Sequence, residues 1–383
     1  PRYRLLESAR AFALEQLAEG ETADALRRHA RAMLNFMQRV DAANLDGELR
    51  TDQYAALVVP ELDNLRAAHA WSSSEEGDAQ VAIALAAHSG SLIDYAVECA
   101  DWLLPHRQQV EEGAVDGSID EAVVARYWRA IAAANMMGRA PHELQVEGAE
   151  RARAMYKALG QPRRVFSSLM RLVSFRLFEG DQMSAQTALA EAHSLIQPDW
   201  PAEFHMQLLR RQSSTARAAG KPVEALAFQR QDVQLSVATG DWRLQVIARN
   251  TLVDLLWEVG TIEEAAREAR QLAQELRARP VPASADMLFA NLMGILSEMG
   301  FVAEASDVAR EALPIMRRTQ TYYLEEWIYL FWRRGQSDVA AQLLGTLDAS
   351  SRKTGLPTQH NERRLMAKAR AALEKELPPD VLA

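Results

Sequence analysis

The sequence predicts an all-α fold, a right-handed solenoid of antiparallel helix pairs repeating about every forty residues. Gly180, Gly220, Gly260 and Gly300 stand forty residues apart, and Gly335 closes a shorter fifth unit. Ala185, Ala225, Ala265, Ala305 and Ala340 each follow one of these glycines by five residues. A second row of breakers lies roughly midway: Gly160-Gln161-Pro162, Pro198-Asp199-Trp200-Pro201, Gly240-Asp241-Trp242 and Pro280-Val281-Pro282. The runs between breakers, about 15–18 residues each, carry apolar side chains at helical spacing. A helix pair of this size cannot bury its apolar face alone, so a fixed period implies stacking on neighbouring pairs.

The residue types at the fixed points have physical reasons. A helix that ends into a tight turn needs the left-handed backbone conformation, which glycine adopts without a Cβ penalty. Gly220, Gly260 and Gly300 each follow a long apolar-rich run and read as the turn between the two helices of a pair. Pro222 then suits the first turn of the next helix. An alanine early in that helix has only a methyl group, so the two backbones can approach closely.

Taken in order, residues 3–19 form a helix candidate with Leu5, Leu6, Ala9, Phe12, Ala13 and Leu17 as one stripe, ended by Gly20. Residues 23–40 form a second, with Leu26, Ala30, Met33, Leu34 and Met37 inward, and 41–54 is looser. Pro60 marks the start of a third helix over 61–71, and the polar run Ser72–Asp78 joins it to a fourth over 79–88. Residues 91–113 give one or two more helices around Trp102, Leu103 and Leu104. Gly113–Ser118 is the best domain boundary. The expected organisation is therefore a helical adaptor over 1–115, the repeat solenoid over 116–350, and a capping helix and tail over 351–383. The pair 121–137 and 142–159 precedes the regular lattice as a degenerate repeat, because Gly138 has Glu143 five residues on. A strongly charged helix over 359–377 closes the stack, with Pro378-Pro379 terminating it.

Composition narrows the function classes. The formal charge is −9, which disfavours a broad nucleic-acid face, since that needs clustered Lys and Arg. The arginine pairs are scattered and read as solvated helix faces. No stretch approaches the ~18 consecutive apolar residues of a membrane span. The single cysteine, Cys99, excludes an internal disulfide framework, and a reducing cytoplasm is the expected location. No histidine pair has metal-ligand spacing and no Gly-x-Ser-x-Gly elbow occurs. Gly220-Lys221 is followed by Pro222, so no phosphate-binding loop is present. His88-Ser89-Gly90-Ser91 reads as a helix end with a polar turn. The adjacent carboxylates Glu111-Glu112, Glu263-Glu264 and Glu325-Glu326 read as solvated surface. No catalytic residue, cofactor or metal is expected.

The glycine-plus-alanine spacing resembles that of tetratricopeptide repeats, with longer helices. Two further segments, Tyr3-Arg4-Leu5-Leu6-Glu7-Ser8-Ala9-Arg10-Ala11-Phe12-Ala13 and Glu61-Leu62-Asp63-Asn64-Leu65-Arg66-Ala67-Ala68-His69-Ala70-Trp71, resemble bacterial STAND-class ATP-dependent transcriptional regulators. In that class such segments follow an NTPase core and a winged helix and lead into tetratricopeptide repeats. The resemblance covers about residues 3–71. It implies that the chain is the C-terminal sensor half of such a regulator, with nucleotide- and DNA-binding domains upstream, and that Pro1 is an internal start.

In tetratricopeptide stacks the first helix of each pair lines an inner groove, through positions about 13, 10, 6, 3 and 2 residues before the glycine. Carried over, this spacing gives Ser167, Met170, Ser174 and Leu177, then Gln207, Arg210, Ser214 and Arg217. It continues with Ile247, Asn250, Asp254 and Trp257, then Met287, Ala290, Gly294 and Ser297, then Tyr322, Glu325, Tyr329 and Trp332. The candidate groove set is Met170, Ser174, Gln207, Arg210, Ser214, Arg217, Asn250, Asp254, Trp257, Tyr322, Glu325, Tyr329 and Trp332. Its Arg, Asn and Asp members suit charge-assisted hydrogen bonds to a peptide or carboxylate. Its aromatic members suit flat anchors. Trp257 and Trp332 equally suit a core, and Arg210 an acid on the next helix. The expected partner is a protein, peptide or small effector in the groove, coupled to the upstream NTPase domain, with no direct nucleic-acid contact and no membrane. The alternative is a scaffold or self-association module with no small ligand.

Overall fold

The computed structural model describes residues 12, 16, 19–93, 95–134, 140–279, 285–319, 322–354 and 360–378, and among them there are helices and turns and no strand. The chain divides into two compact units, residues 1–208 and 209–383.

Unit 1 starts with a long helix, α1 (Glu19–Leu45), followed by α2 (Thr51–Val58), α3 (Leu62–Ser72) and α4 (Ala79–His88). Three single 3-10 turns, Ser89–Ser91, Val97–Ala100 and Leu104–His106, lead to α5 (Arg107–Asp116). Then come two helix pairs, α6 (Glu121–Ala133) with α7 (His142–Ala158), and α8 (Pro162–Phe178) with α9 (Gln182–Leu195). The next helix, α10 (Ala202–Ala218), carries the division between units. One apolar core runs through unit 1, from Ala30 and Met37 on α1 through Trp128 and Phe166 to Phe204.

The helix candidate over 3–19 lies largely outside the described residues. Gly20 does not end a helix; it lies in the first turn of α1. The stretch expected to be loose after residue 40 is mostly helix, because α1 runs on to Leu45 and α2 begins at Thr51. The reason is Asp41: it is 1% exposed and anchored from across the unit, which holds the last turns of α1 in place. Over 91–106 the chain forms 3-10 turns in place of the expected longer helices, and Gly113 is buried within α5.

Unit 2 continues with α11 (Pro222–Thr239), α12 (Trp242–Glu258), α13 (Ile262–Arg277), α14 (Ala285–Met299), α15 (Val302–Thr319), α16 (Leu324–Arg333), α17 (Ser337–Thr354) and α18 (His360–Glu376). Its core joins Trp257 on α12, Leu272 on α13, Phe289 on α14, Met316 on α15, Tyr329 on α16 and Leu365 on α18.

The sequence lattice maps onto this packing. Gly260 and Gly300 have φ of +87° and +88°. After Gly260 the Thr261 N–H donates to the Leu256 carbonyl at 3.0 Å, and Gly260 itself to that of Trp257 at 3.2 Å, which together satisfy carbonyls left open at the helix end. The same pair of bonds recurs at Gly180, Gly220, Gly300 and Gly335. Ala185, Ala225, Ala265, Ala305 and Ala340 are all 0% exposed. They sit where the second helix of each pair presses on the first. Across neighbouring second helices, Arg230–Glu264, Arg270–Glu304 and Arg277–Glu311 form ion pairs of 3.1, 2.7 and 2.7 Å. These are partly exposed and set register more than stability.

Candidate functional site

The inner wall of unit 2 is built by the first helices of its pairs, α12, α14 and α16. Their facing positions are polar among apolar neighbours. Arg217 on α10 donates Nη1 to Asp254 Oδ2 at 2.6 Å and pairs through Nη2 with Glu258 Oε2 at 2.5 Å. Asn291 Nδ2 donates to Asn250 Oδ1 at 3.1 Å. Trp257, 1% exposed, donates Nε1 to Glu298 Oε2 at 2.6 Å. Its ring fills the space above Gly294, where an added Cβ would meet Trp257 Cη2 at 2.7 Å. A side chain at 294 would therefore expel the indole.

The wall is occupied. α18 lies across it, with its N-terminal end at α12 and its C-terminal end at α16 and α17. Asn361 Nδ2 donates to Asp254 Oδ1 at 2.6 Å and to the Asp254 backbone carbonyl at 2.9 Å. One turn on, Arg364 Nη2 donates to Glu298 Oε2 at 3.0 Å, and its guanidinium lies 5.5 Å from the centroid of the Trp257 ring. Lys368 Nζ donates to Glu298 Oε1 at 2.5 Å. At the far end Glu376 accepts from Trp332 Nε1 at 3.2 Å and from Ser337 Oγ at 2.6 Å. Between these polar points Leu365, Met366, Ala369 and Leu373 are buried. Asn361, Arg364 and Lys368 recur at three- and four-residue spacing, so they share one face of the helix.

Two carboxyls in this wall are shifted in opposite directions. Burial alone would raise Glu298, but the Lys368 ammonium, the Trp257 N–H and Arg364 offset it and hold the group below its ordinary range. Burial raises Glu326 well above its ordinary range, and the nearby carboxyls of Glu362, Glu325 and Asp254 add to the shift. Glu326 is 1% exposed, so the reading of Glu325-Glu326 as solvated surface is corrected. The cause is α18, which lies over α16.

Other candidate groove residues fall as follows. Asn250, Asp254 and Tyr329 are buried in the wall, and Trp332 is half-buried against Tyr329, ring centroids 5.2 Å apart. Glu325 is half-buried, and burial raises its carboxyl. Tyr322 is 45% exposed, just before α16. Arg210 donates Nε to Asp232 Oδ2 at 2.9 Å, an acid on the next helix, α11. Ser174 and Ser214 turn their hydroxyls back onto the carbonyls of Met170 and Arg210, at 3.2 and 2.9 Å. Met170 is core of unit 1, 3% exposed, and Gln207 is half-buried on α10. The structure thus brings the α12, α14 and α16 members together at one surface. Glu258, Glu298 and the face of α18 were not among the candidates. Glu258 and Glu298 stand two residues before Gly260 and Gly300, the one position of the carried-over spacing that was left unfilled.

Unit 1 holds a separate buried network. Arg126 on α6 donates Nε and Nη2 to the two oxygens of Asp41 on α1, each at 2.5 Å, a bidentate pair. Ser91 Oγ donates to Asp41 Oδ1 at 3.1 Å, and His88 Nδ1 lies 3.0 Å from Oδ2. Burial opposes the charge on Asp41, but Arg126 and His88 hold its carboxyl far below the ordinary range. His88 and Ser91 therefore have a structural task, consistent with a helix end and polar turn.

No protein-family model matches the chain, and no curated protein matches it. Among solved structures, it is similar to the pentatricopeptide repeat protein PPR10 from maize, at 15% identity and a TM-score of 0.22, covering 99% of this chain and 69% of that one. It is also similar to a circular tandem repeat protein with novel repeat topology, at 15% identity and a TM-score of 0.19, covering 97% of this chain and 86% of that one. Among the described residues no helix is long and apolar enough to cross a membrane, and no group of His, Cys, Asp and Glu is arranged to hold a metal ion.

Proposed function

We propose that the chain is a helical-repeat binding module whose second unit recognises a helical protein segment along α12, α14 and α16. The observation that carries this reading is α18: the wall holds an amphipathic helix through matched polar points and a buried apolar stripe. Helix-in-groove recognition uses this arrangement of anchors at three- to four-residue spacing. The wall has aromatic anchors in Trp257, Tyr329 and Trp332, and acids in Asp254 and Glu298 that select basic and amide side chains.

The test releases the resident helix and supplies it from outside. Leu365→Asp buries a charge beneath α18 and is expected to free it, read as faster hydrogen exchange over residues 360–376 with the rest of unit 2 still protected. A labelled peptide of the native 359–377 sequence then binds the variant with a Kd on the order of micromolar, as expected for a short helix that must order on binding. Release of α18 with no peptide binding up to about a millimolar, a weak −4 kcal/mol, would sink the reading.

The finer reading, a cytoplasmic sensor of a STAND-class regulator that couples groove occupancy to an upstream ATPase and DNA-binding domain, is supported by the resemblance over 3–71. Such coupling requires that the guest bind one state of the regulator better than the other. A phosphate-binding loop followed by a winged helix, encoded upstream of Pro1 in the same reading frame, is the expected finding; an unrelated upstream region removes the regulator part and leaves the binding module.

A further inference from the structure

Unit 1 holds an arginine that the fold leaves without a counter-ion. Arg129 on α6 is half-buried, its Nε is enclosed and meets no acceptor, and among the described residues it makes no ion pair. Arg126 stands three residues earlier on the same helix, a spacing that makes the two side chains neighbours. Its Nε and Nη2 are bonded to Asp41, while its Nη1, also enclosed, meets no acceptor. From the next pair, Arg171 on α8 reaches over to α6, with Nη1 3.5 Å from the Ala132 carbonyl, three residues beyond Arg129. Arg129 and Arg171 hold the same repeat position, nine residues before Gly138 and Gly180. Three guanidinium groups thus gather along about two turns of one helix.

Asp41 does not balance them. Both of its oxygens are bonded to Arg126, and Ser91 and His88 take further contacts with them. The local charge is therefore positive, and Arg129 registers it: burial first, then Arg126 and Arg171, push its guanidinium down to about 9. Other buried groups of unit 1 also lack a partner, the Tyr54 and Tyr156 hydroxyls among them, but those are neutral. A neutral hydroxyl needs any hydrogen-bond partner, whereas an unpaired cation costs more and calls for an anion.

We propose that Arg129, flanked by Arg126 and Arg171, binds the phosphoryl group of a small phosphorylated ligand. The planar guanidinium fork matches two oxygens of a phosphate. Cations stand on both sides of Arg129, one from its own helix and one from α8. A tetrahedral group with three outward oxygens accepts from several directions, which a flat carboxylate does not. A phosphate monoester also brings a charge of about −2 at neutral pH. The exposed part of Arg129 gives the ligand its way in. A formal charge of −9 disfavours a long nucleic-acid track and is compatible with one local phosphoryl site. The site lies in unit 1 and is independent of the reading of α18.

The test uses the full chain with inorganic phosphate as the probe, sodium acetate as the carboxylate control and sodium chloride at matched ionic strength as the screening control. With a Kd of about a millimolar, phosphate at about 10 mM is expected to slow hydrogen exchange over α6 about tenfold by mass action. Acetate and chloride are expected to leave that exchange unchanged, and exchange over α12, α14 and α16 is expected to ignore all three salts. Arg129→Met keeps the aliphatic stem, removes the charge and is expected to abolish the phosphate response. Arg129→Lys keeps the charge, loses the fork and is expected to bind phosphate about tenfold more weakly, a loss of the size of one charge-assisted hydrogen bond. The lysine variant decides the matter if the methionine variant does not fold. No response to phosphate, an equal response to acetate or chloride, a response that survives R129M, or an R129K chain that binds phosphate as the wild type does each overturns the proposal.

Discussion

At the scale of single residues, the largest energies lie where charge is buried, and Asp41 is the clearest instance. Both Asp41 and Arg126 are 1% exposed at the side chain, and both Asp41 oxygens are bonded to Arg126. Removing one member of such a pair strands the other in a medium that cannot solvate it. Asp41→Asn is therefore expected to destabilise unit 1 by about 3–5 kcal/mol, measured by denaturant unfolding. Replacing both partners with apolar residues, Asp41→Leu with Arg126→Met, removes the stranded charge and is expected to recover most of that loss. A single substitution costing under about 1 kcal/mol would mean that water reaches the pair. None of this was legible in the sequence. Asp41 stands 85 residues from Arg126, no periodicity links them, and the polar run that follows Val40 reads as a loop until its partner is known.

At the scale of elements, the repeat was legible because its cause is local. A left-handed turn needs glycine and a close seam needs alanine, whatever lies elsewhere in the chain, so both mark the sequence at a fixed interval. Ala265 is the test. It is 0% exposed at the start of α13, where that helix meets α12. Ala265→Leu inserts three carbons into a packed seam and is expected to cost about 1–3 kcal/mol through overpacking, read as a lower thermal midpoint, with Ala→Gly at the same place costing less than the leucine. A leucine tolerated without loss would show that the seam is loose and that the glycine turns alone set the pairing. The destination of α18 was not legible in this way. Its charged face gave a helix over 359–377 and suggested an end cap, because a cap and a groove occupant share the same amphipathic pattern. What distinguishes them is the partner: Asn361 finds Asp254 across 107 residues, and Arg364 finds Glu298 across 66. The candidate positions on α12 and α16 carried the right chemistry, but their contacts are with the chain itself.

At the scale of the whole molecule, each unit buries one titratable group that makes stability depend on pH, and these two contributions have opposite signs. In unit 1, His69 stacks on Trp102 at 4.3 Å, and burial, then the neighbouring His106, lowers it from 6.5 to about 4. A base held neutral by the fold contributes stability above its unfolded value, and that stability is lost as pH falls from 6.5 toward about 4. In unit 2 the sign reverses. Glu326 has a folded value raised above its unfolded one, so its favourable term is fully present below the ordinary carboxylate range and is lost as pH rises toward the folded value. Glu298, held low by Lys368, Trp257 and Arg364 against its burial, acts the other way and weakens the grip on α18 only below that range. α18 should therefore be held most firmly in mild acid and loosen as pH rises above the ordinary carboxylate range. Exchange over residues 360–376, corrected for the intrinsic pH dependence of amide exchange, is expected to quicken as pH rises above the ordinary carboxylate range, and E326Q to flatten that dependence. A wild-type profile already flat, or a slope that E326Q leaves intact, would place the sensitivity elsewhere. If the slope is confirmed, the carboxyl that α18 helps to bury makes the release of that helix responsive to proton concentration, because its burial is what raises it.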